Sequence, residues 1–272
     1  MPRRWRRDAG HGTAVRECPS GFFGTRGRAV KHEFLPPPEQ GRRFGARRCV
    51  RLGDVNGTNR LRLDAVARYL QDVASDDVDD IADPRVDGAW VLRRTAVALG
   101  DLPRYRDEVE LMTFCSGTGS RWAERRTTLT AGGEPVAEAV AIWVYVDRAG
   151  RPAPLGEWFL EHYGEAAAGR KVSGRLSLPP PSAGAGVRPW PIRASDFDLL
   201  RHVNNAAYWY AVEDEMARLA PGRVPASATL EHRAAIEPDD RIELRSSVDG
   251  DTLTVWLTAG GETRAAARVQ LG

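Results

Sequence analysis

The most informative stretch of the chain reads Arg193-Ala-Ser-Asp-Phe-Asp-Leu-Leu-Arg-His-Val-Asn-Asn-Ala-Ala-Tyr-Trp-Tyr-Ala-Val-Glu-Asp-Glu-Met216. It begins with an extended, polar segment that holds two carboxylates, a histidine and an asparagine pair. Apolar and aromatic side chains then recur about every 3.6 residues, which is typical of an amphipathic helix. These side chains belong to Ala207, Tyr208, Ala211, Val212 and Met216. The stretch therefore predicts a polar turn that leads into a helix at about 204–219.

Candidate chemistry lies on the polar turn. Asn204 or Asn205 is expected to cap the helix, because an Asn side-chain oxygen accepts a hydrogen bond from one of the first free backbone N–H groups. Asp198 and His202 precede this helix start, whose free N–H donors and partial positive charge suit a developing oxyanion. The structural alternative is that the carboxylate and amides are ordinary capping groups and that the histidine is a polar loop residue.

Alternating patterns on both sides of this stretch predict antiparallel strands. In the second half a strand at 187–196 precedes the helix, and hairpin turns at Asp249-Gly250 and Gly260-Gly261 separate the strands that follow. Those strands are expected at about 227–236, 241–248, 252–259 and 263–270. The first half predicts a strand at 46–54, a helix at 61–76, and strands at 89–98, 103–115, 121–130 and 136–147. This order favours an α+β fold over a parallel sheet.

The two halves repeat one pattern. A shift of 142 positions without gaps places Val50 on Ile192, Asp54 on Asp196 and Leu61 on Val203. Two copies of one unit in a chain predict a pseudo-twofold pair. Where the second copy has Asp198 and His202, the first has Asn56 and Arg60. One active site per chain is therefore expected, in the second copy.

Composition indicates a globular protein with two modules and flanking segments. Residues 1–42 are rich in Arg, Gly and Pro and are predicted to be a disordered extension, followed by modules at 43–148 and 187–272 and a Pro/Gly-rich linker at 149–186. Eight basic and three acidic residues fall within residues 1–34, so the positive charge is concentrated there and indicates no nucleic-acid partner. No apolar run is long enough for a membrane span. Three distant cysteines argue against a disulfide framework and favour a cytoplasmic location.

Residues 196–208, Asp-Phe-Asp-Leu-Leu-Arg-His-Val-Asn-Asn-Ala-Ala-Tyr, resemble the signature of acyl-acyl carrier protein thioesterases, a double-hotdog family of plants and bacteria. The first half resembles the amino-terminal module of that family in Val50-Arg-Leu-Gly-Asp54, Tyr69-Leu-Gln71, Trp90-Val-Leu-Arg-Arg94 and Trp143-Val-Tyr-Val-Asp147. The resemblance covers about residues 45–270. It implies tandem hotdog modules, each a long helix wrapped by an antiparallel sheet, joined edge to edge into one pseudo-twofold unit.

The resemblance carries the catalytic residues over only in part. The family pattern is an Asp, an Asn two residues later and a His two residues beyond, and here these positions are Asp198, Leu200 and His202. Plant members have a Glu-Cys pair after a Leu-Glu-aromatic-Arg sequence. Leu230-Glu-His-Arg233 matches that sequence, but the Glu and Cys positions hold Ala235 and Ile236. Glu237 is expected on the same strand face as Ala235, either as a displaced carboxylate or as a solvated residue at the strand end.

The leading hypothesis is a hydrolase that releases fatty acid from acyl-acyl carrier protein in fatty acid biosynthesis. Its site would comprise Asp198, His202, Asn204, Asn205 and Glu237, with backbone N–H groups at 203–205 holding the oxyanion. The alternatives are a silent hotdog protein that binds acyl thioesters or the carrier, and a coenzyme A thioesterase. We expect no cofactor and no metal, since no phosphate loop or ligand spacing occurs. The carrier is acidic, so mouth arginines would steer it, with candidates at 93, 94, 125 and 126. Oligomeric state stays open, a homodimer included.

Overall fold

Both halves of the chain contain a strand, a helix and four further strands. The computed structural model describes residues 34–272, so most of the extension predicted at 1–42 lies outside the described residues. The first module comprises β1 (Arg43–Cys49), α1 (Leu63–Ile81), β2 (Ala89–Leu99), β3 (Glu108–Thr118), β4 (Trp122–Ala131) and β5 (Glu134–Val146). Helix α2 (Glu157–Ala167) follows. The second module comprises β6 (Gly186–Trp190), α3 (Tyr208–Leu219), β7 (Pro225–His232), β8 (Ile242–Asp249), β9 (Thr252–Ala259) and β10 (Glu262–Leu271).

The strands form one antiparallel sheet with internal symmetry. Its order is β1-β3-β4-β5-β2-β7-β10-β9-β8-β6, which reads the same from either edge when each strand is exchanged for its counterpart in the other module. The modules join where β2 pairs with β7, from Arg94 opposite Glu231 to Ala98 opposite Ser227. This arrangement confirms the predicted tandem hotdog fold.

The apolar stripes of α1 and α3 pack on one face of this sheet. On α1, Leu63, Val66 and Val73 are fully buried, and on α3 Val212 and Met216 are buried in the same core. Burying a Leu or Val side chain contributes roughly 1.5–3 kcal/mol, so these stripes fix each helix against the sheet. The fold thereby holds the segment before each helix at the junction of the two modules.

The linker crosses the opposite face of the sheet. Trp256 and Ala266 pack with Leu178 of the linker, whereas their strand neighbours face the helix-side core. Since successive side chains on a strand point to opposite faces, this stretch of the linker and the helices lie on different sides. Glu231, fully buried, fastens the linker by accepting hydrogen bonds from the backbone N–H groups of Ser177 (2.6 Å) and Leu178 (3.0 Å).

Three predicted strands, at 46–54, 187–196 and 227–236, end several residues earlier than the pattern indicated. The first ends at Cys49, since Asp54 then accepts a hydrogen bond from the Arg51 N–H and closes a single 3-10 turn. The second of them ends at Trp190, before a 3-10 turn in which the Arg193 N–H donates a hydrogen bond to Asp196. The strand predicted at 227–236 ends at His232, because the N–H groups of Arg233 and Ala234 both donate to the Arg264 carbonyl and interrupt the ladder. The placement of Glu237 on a strand face is therefore wrong, and this residue lies in the loop that follows β7.

Candidate active site

The turn before α3 has the same backbone geometry as the turn before α1. The Asp198 N–H donates to the His202 carbonyl, just as the Asn56 N–H donates to the Arg60 carbonyl. Arg201 adopts a left-handed conformation with φ 61°, and the position 142 residues earlier has φ 62°. The 142-residue shift thus holds through the whole turn, and any difference in chemistry between the copies comes from their side chains.

Asp198 stabilises this turn with its own carboxylate. Its Oδ1 accepts a hydrogen bond of 2.9 Å from the Leu200 N–H, as Asn56 Oδ1 accepts one of 3.0 Å from the Thr58 N–H. In the first copy the Thr58 hydroxyl also donates to the same oxygen, whereas Leu200 has no donor to offer. Asp198 therefore has a structural role in the turn, and it also lines the cavity described below.

The expected cap of α3 by an asparagine side chain is wrong in detail. The residue at the N-cap is Ala207, and it has no side-chain capping bond. Asn204 Oδ1 instead accepts from the Ala206 N–H at 3.0 Å, one turn earlier, and its own N–H donates to the Asp196 carbonyl. The Val203 N–H likewise donates to the Ile236 carbonyl. Of the three backbone N–H groups expected to hold the oxyanion, that of Asn205 has no backbone acceptor among residues 34–272.

His202 pairs with Glu237. The imidazole Nε2 lies 3.4 Å from Glu237 Oε1, and both side chains are about half exposed. Neither residue lines the cavity. The fold thus brings together Asp198, Asn204 and Asn205 at the cavity and places the His202–Glu237 pair outside it.

A cavity of about 460 Å³ opens beside the turn. Its walls come from α1, from the facing strands of the first module and from α2, and they are mainly apolar and aromatic. They include Ala74, Val78, Trp90, Ala123, Trp143 and Phe159. Asp198, Leu199, Leu200, Asn204 and Asn205 of the second module also line it. A largely apolar pocket with a few convergent polar groups is the usual form of a small-molecule site.

A buried polar network lines another part of the cavity. Asp77 of α1 accepts hydrogen bonds from Arg125 Nη1 (2.6 Å), Arg42 Nε (2.7 Å) and the Tyr163 hydroxyl (3.0 Å). Burial raises the pKa of Tyr163 to about 12, so its hydroxyl stays protonated and serves as a donor to Asp77. Cys115 also lines the cavity, and burial raises its pKa to about 11, so its thiol is neutral near pH 7 and a poor nucleophile.

The four arginines proposed to steer an acidic carrier are engaged elsewhere. Arg125 binds Asp77, and Arg126 is buried and pairs with Glu138. Arg94 donates to the backbone carbonyl of Arg175 in the linker, and Arg93 donates to the backbone carbonyl of His232 at the end of β7. Arg201 is exposed and follows Leu199 and Leu200, which line the cavity. Its left-handed backbone conformation follows from the turn and has no simple sequence signal.

Sequence reasoning also missed a buried contact behind the turn. The rings of Tyr208 and His232 meet edge to face with centroids 4.7 Å apart. Burial lowers the pKa of His232 to about 3, so this imidazole is neutral in the folded protein at ordinary pH. The departures Ala235 and Ile236 follow it, and Ile236 is fully buried in the main core. Neither can supply a carboxylate or thiol, which leaves Glu237 as the acidic group nearest that position.

Within residues 34–272 no set of three or more His, Cys, Asp and Glu side chains is arranged to hold a metal ion. Among the same residues, none of the helices has the length and apolarity needed to cross a bilayer.

Comparison with protein families identifies both modules. Residues 41–154 match the family model described as the acyl-ACP thioesterase N-terminal domain, and residues 183–270 match the acyl-ACP thioesterase C-terminal domain. Two curated relatives, from the CDC 1551 and H37Rv strains of Mycobacterium tuberculosis, are each 26% identical over 215 residues, covering 79% of this chain and 86% of theirs. Both relatives carry the description "uncharacterized protein".

Solved structures share the fold over most of the chain. A 12:0-ACP thioesterase from Umbellularia californica is similar with a TM-score of 0.72 and 19% identity, over 85% of this chain and 97% of that one. An acyl-ACP thioesterase from Bacteroides thetaiotaomicron is similar with a TM-score of 0.73 and 16% identity, over 85% and 98%. At these identities the likeness establishes the architecture.

Proposed function

This chain belongs to the acyl-ACP thioesterase family, and from that premise we propose that it hydrolyses fatty acyl-acyl carrier protein to free fatty acid and carrier in fatty acid biosynthesis. The observation that carries the proposal is the cavity of about 460 Å³, which is lined jointly by the first module and by the turn of Asp198, Asn204 and Asn205. The acyl chain occupies the cavity and the thioester lies at its mouth.

The reaction at this mouth requires an activated water and donors for the oxyanion. His202 lies outside the cavity, but on the turn whose residues 198–200, 204 and 205 line it. We assign His202 as the base that takes a proton from water, with Glu237 holding the imidazole at 3.4 Å. The water oxygen attacks the thioester carbon, the Asn205 N–H stabilises the oxyanion, and the C–S bond then breaks. The departing thiolate receives a proton from the imidazolium. Asp198 holds the turn and stabilises the positive charge on His202 through space.

The first test is single-turnover hydrolysis of a panel of acyl-carrier-protein thioesters by wild type, His202→Ala and Asp198→Asn, with folding checked by circular dichroism. We expect wild type to hydrolyse and His202→Ala to lose about a hundredfold in rate, as is typical when a general base is removed. Glu237→Gln should lose less, because it keeps the shape and removes only the charge beside the imidazole. A folded wild type that turns over none of the thioesters contradicts the proposal.

The second candidate is a silent hotdog protein that binds acyl thioesters. Leu200 in place of the family Asn, and the buried Ile236 in place of a reactive side chain, favour it. Titration of the same wild-type protein with a non-hydrolysable S-dodecyl pantetheine thioether separates the two functions. Binding without turnover supports the silent protein, and binding with turnover supports the enzyme.

The identity of the leaving group is tested at the rim. Leu199 is 92% exposed, and Arg201 is exposed two residues later, which is a combination that suits an acidic protein with an apolar patch. Arg201→Glu should lower kcat/KM for acyl-carrier-protein substrates by about tenfold and leave S-acyl pantetheine unaffected. Equal losses on both substrates, or no loss on either, would argue against carrier docking at this rim.

A further inference from the structure

Gln71 on α1 of the first module contacts the candidate active site of the second. Its Oε1 accepts a hydrogen bond of 3.1 Å from Asn205 Nδ2, and both residues line the cavity. We propose that Gln71 is a positioning residue of the thioesterase site: it fixes Asn205 at the cavity mouth and keeps that place uncharged. This inference rests on the proposed function and adds to it a residue from the other module.

The chain contains an internal control for this contact. A shift of 142 residues places Gln71 on Glu213 and Leu63 on Asn205. Glu213 Oε1 accepts a hydrogen bond of 2.7 Å from the backbone N–H of Leu63, the first residue of α1, so each helix binds a residue at or just before the start of the opposite helix. Reciprocal contacts of this kind are expected around a pseudo-twofold axis. The same two positions therefore meet on both sides, but the donor is a side-chain amide on one side and a backbone N–H on the other.

On the first-module side the contact is made by a carboxylate that belongs to an ion pair. The Glu213 carboxylate also pairs with Arg60 Nη2 at 2.9 Å, and both side chains are mostly buried. Arg60 occupies the place that His202 has in the second copy. This ion pair fills the region that would be a second active site, which agrees with one site per chain.

On the second-module side a neutral amide replaces that carboxylate. A thioester carbonyl gains negative charge as water attacks, so a nearby carboxylate would raise the barrier and an N–H donor would lower it. With its Oε1 engaged by Asn205, the Gln71 amide nitrogen retains two N–H groups. The Asn205 side chain in turn loses rotational freedom, which keeps its backbone N–H in a fixed place at the mouth.

Two substitutions separate positioning from charge. Gln71→Leu removes the hydrogen bond and should lower kcat about tenfold and raise KM by only about threefold, the size expected for one lost hydrogen bond. Gln71→Glu keeps an acceptor for Asn205 Nδ2 but introduces the charge found on the other side, and it should lower kcat at least as much. A purely structural Gln71 would tolerate Gln71→Glu. Glu213→Gln is the matched control and should leave kcat unchanged.

Binding of the S-dodecyl pantetheine thioether, measured by calorimetry, makes the result independent of turnover. We expect Gln71→Leu to weaken binding about threefold or more and Glu213→Gln to leave it unchanged. If wild type hydrolyses acyl thioesters but both Gln71 variants match it in kcat and binding, the inference fails and the proposed function stands. If wild type binds the thioether but hydrolyses no thioester, the proposed hydrolase function is refuted. A loss of binding in Gln71→Leu then still supports the inference, and unchanged binding refutes it. A wild type that neither hydrolyses nor binds overturns both.

Discussion

Replacing Asp77 by alanine should destabilise the protein, because it breaks a buried polar network that lies against the cavity. The Asp77 carboxylate is 1% exposed and accepts hydrogen bonds from Arg125, Arg42 and Tyr163. In Asp77→Ala, Arg42 keeps Asp80 at 2.9 Å, but Arg125 remains a buried cation whose carboxylate partner is gone. Breaking a buried pair in this way costs about 3–5 kcal/mol. For a chain of this size, 1 kcal/mol corresponds to roughly 2–4 °C in Tm, so we expect a loss of about 6–20 °C.

A double variant tests the cause. Asp77→Leu with Arg125→Leu removes both charges and replaces them with apolar volume, which is often neutral or stabilising for a buried pair. Urea unfolding of wild type, Asp77→Leu, Arg125→Leu and the double variant gives the coupling energy between the two side chains directly. The exposed pair Arg47–Glu110 supplies the control, since Glu110→Gln should cost less than about 1 kcal/mol. An Asp77→Ala variant within 1 kcal/mol of wild type, or a double variant no more stable than Asp77→Ala, would refute this account.

Three further predictions concern stability. The first is the variant His232→Phe, which keeps the ring contact with Tyr208 but cannot take up a proton. In wild type the folded state lowers the pKa of His232 to about 3, so between about pH 6.5 and 3 this histidine is protonated only in the unfolded chain. Wild type should therefore lose about 2–3 kcal/mol more than the variant between pH 6.5 and 4.5 in urea titrations. Glu231→Ala leaves the Ser177 and Leu178 N–H groups unsatisfied, which should cost about 3 kcal/mol or more and expose the linker to proteolysis; unchanged stability would mean that the linker is held elsewhere. Burial opposes ionisation of Asp54, but hydrogen bonds from the Arg51 N–H and the Tyr69 hydroxyl outweigh it and lower the pKa of Asp54. The resulting stabilisation is present above about pH 4 and is lost as the pH falls. Asp54→Asn should therefore make the free energy of unfolding depend less steeply on pH in acid.

The residue patterns were sufficient to predict a duplicated α+β unit, because they are local and occur twice, and the family resemblance supplied the hotdog arrangement. Alternation with Gly-containing turns predicts each hairpin, and the 142-residue shift predicts that both copies share one kind of turn before the helix. Where strands end was less predictable. The end of β7 depends on two N–H groups sharing the Arg264 carbonyl, a contact with β10 that no local pattern encodes.

The candidate site was predictable only in its local part. The placement of Asp198, Asn204 and Asn205 follows from one turn. The pairing of His202 with Glu237 and of Asn205 with Gln71 joins residues far apart in sequence, and the register that brings them together is set by the whole sheet. The arginines at 125 and 126 look like ordinary solvated strand residues in the sequence, yet they bind Asp77 and Glu138 in the interior. Alternation gives the face of a strand but not what packs on that face.

The missing family asparagine need not remove the chemistry. Position 200 is the counterpart of Thr58, whose hydroxyl donates to the residue two positions earlier, so a polar side chain here serves the turn. With Leu200 that donor is lost, but the backbone N–H still holds Asp198 at 2.9 Å and the turn keeps its shape. Orientation of His202 then depends on the loop after β7, where Glu237 approaches it. In the proposed mechanism a carboxylate on a loop therefore takes over the orienting role of an amide in the turn, and Glu237→Gln tests that exchange directly.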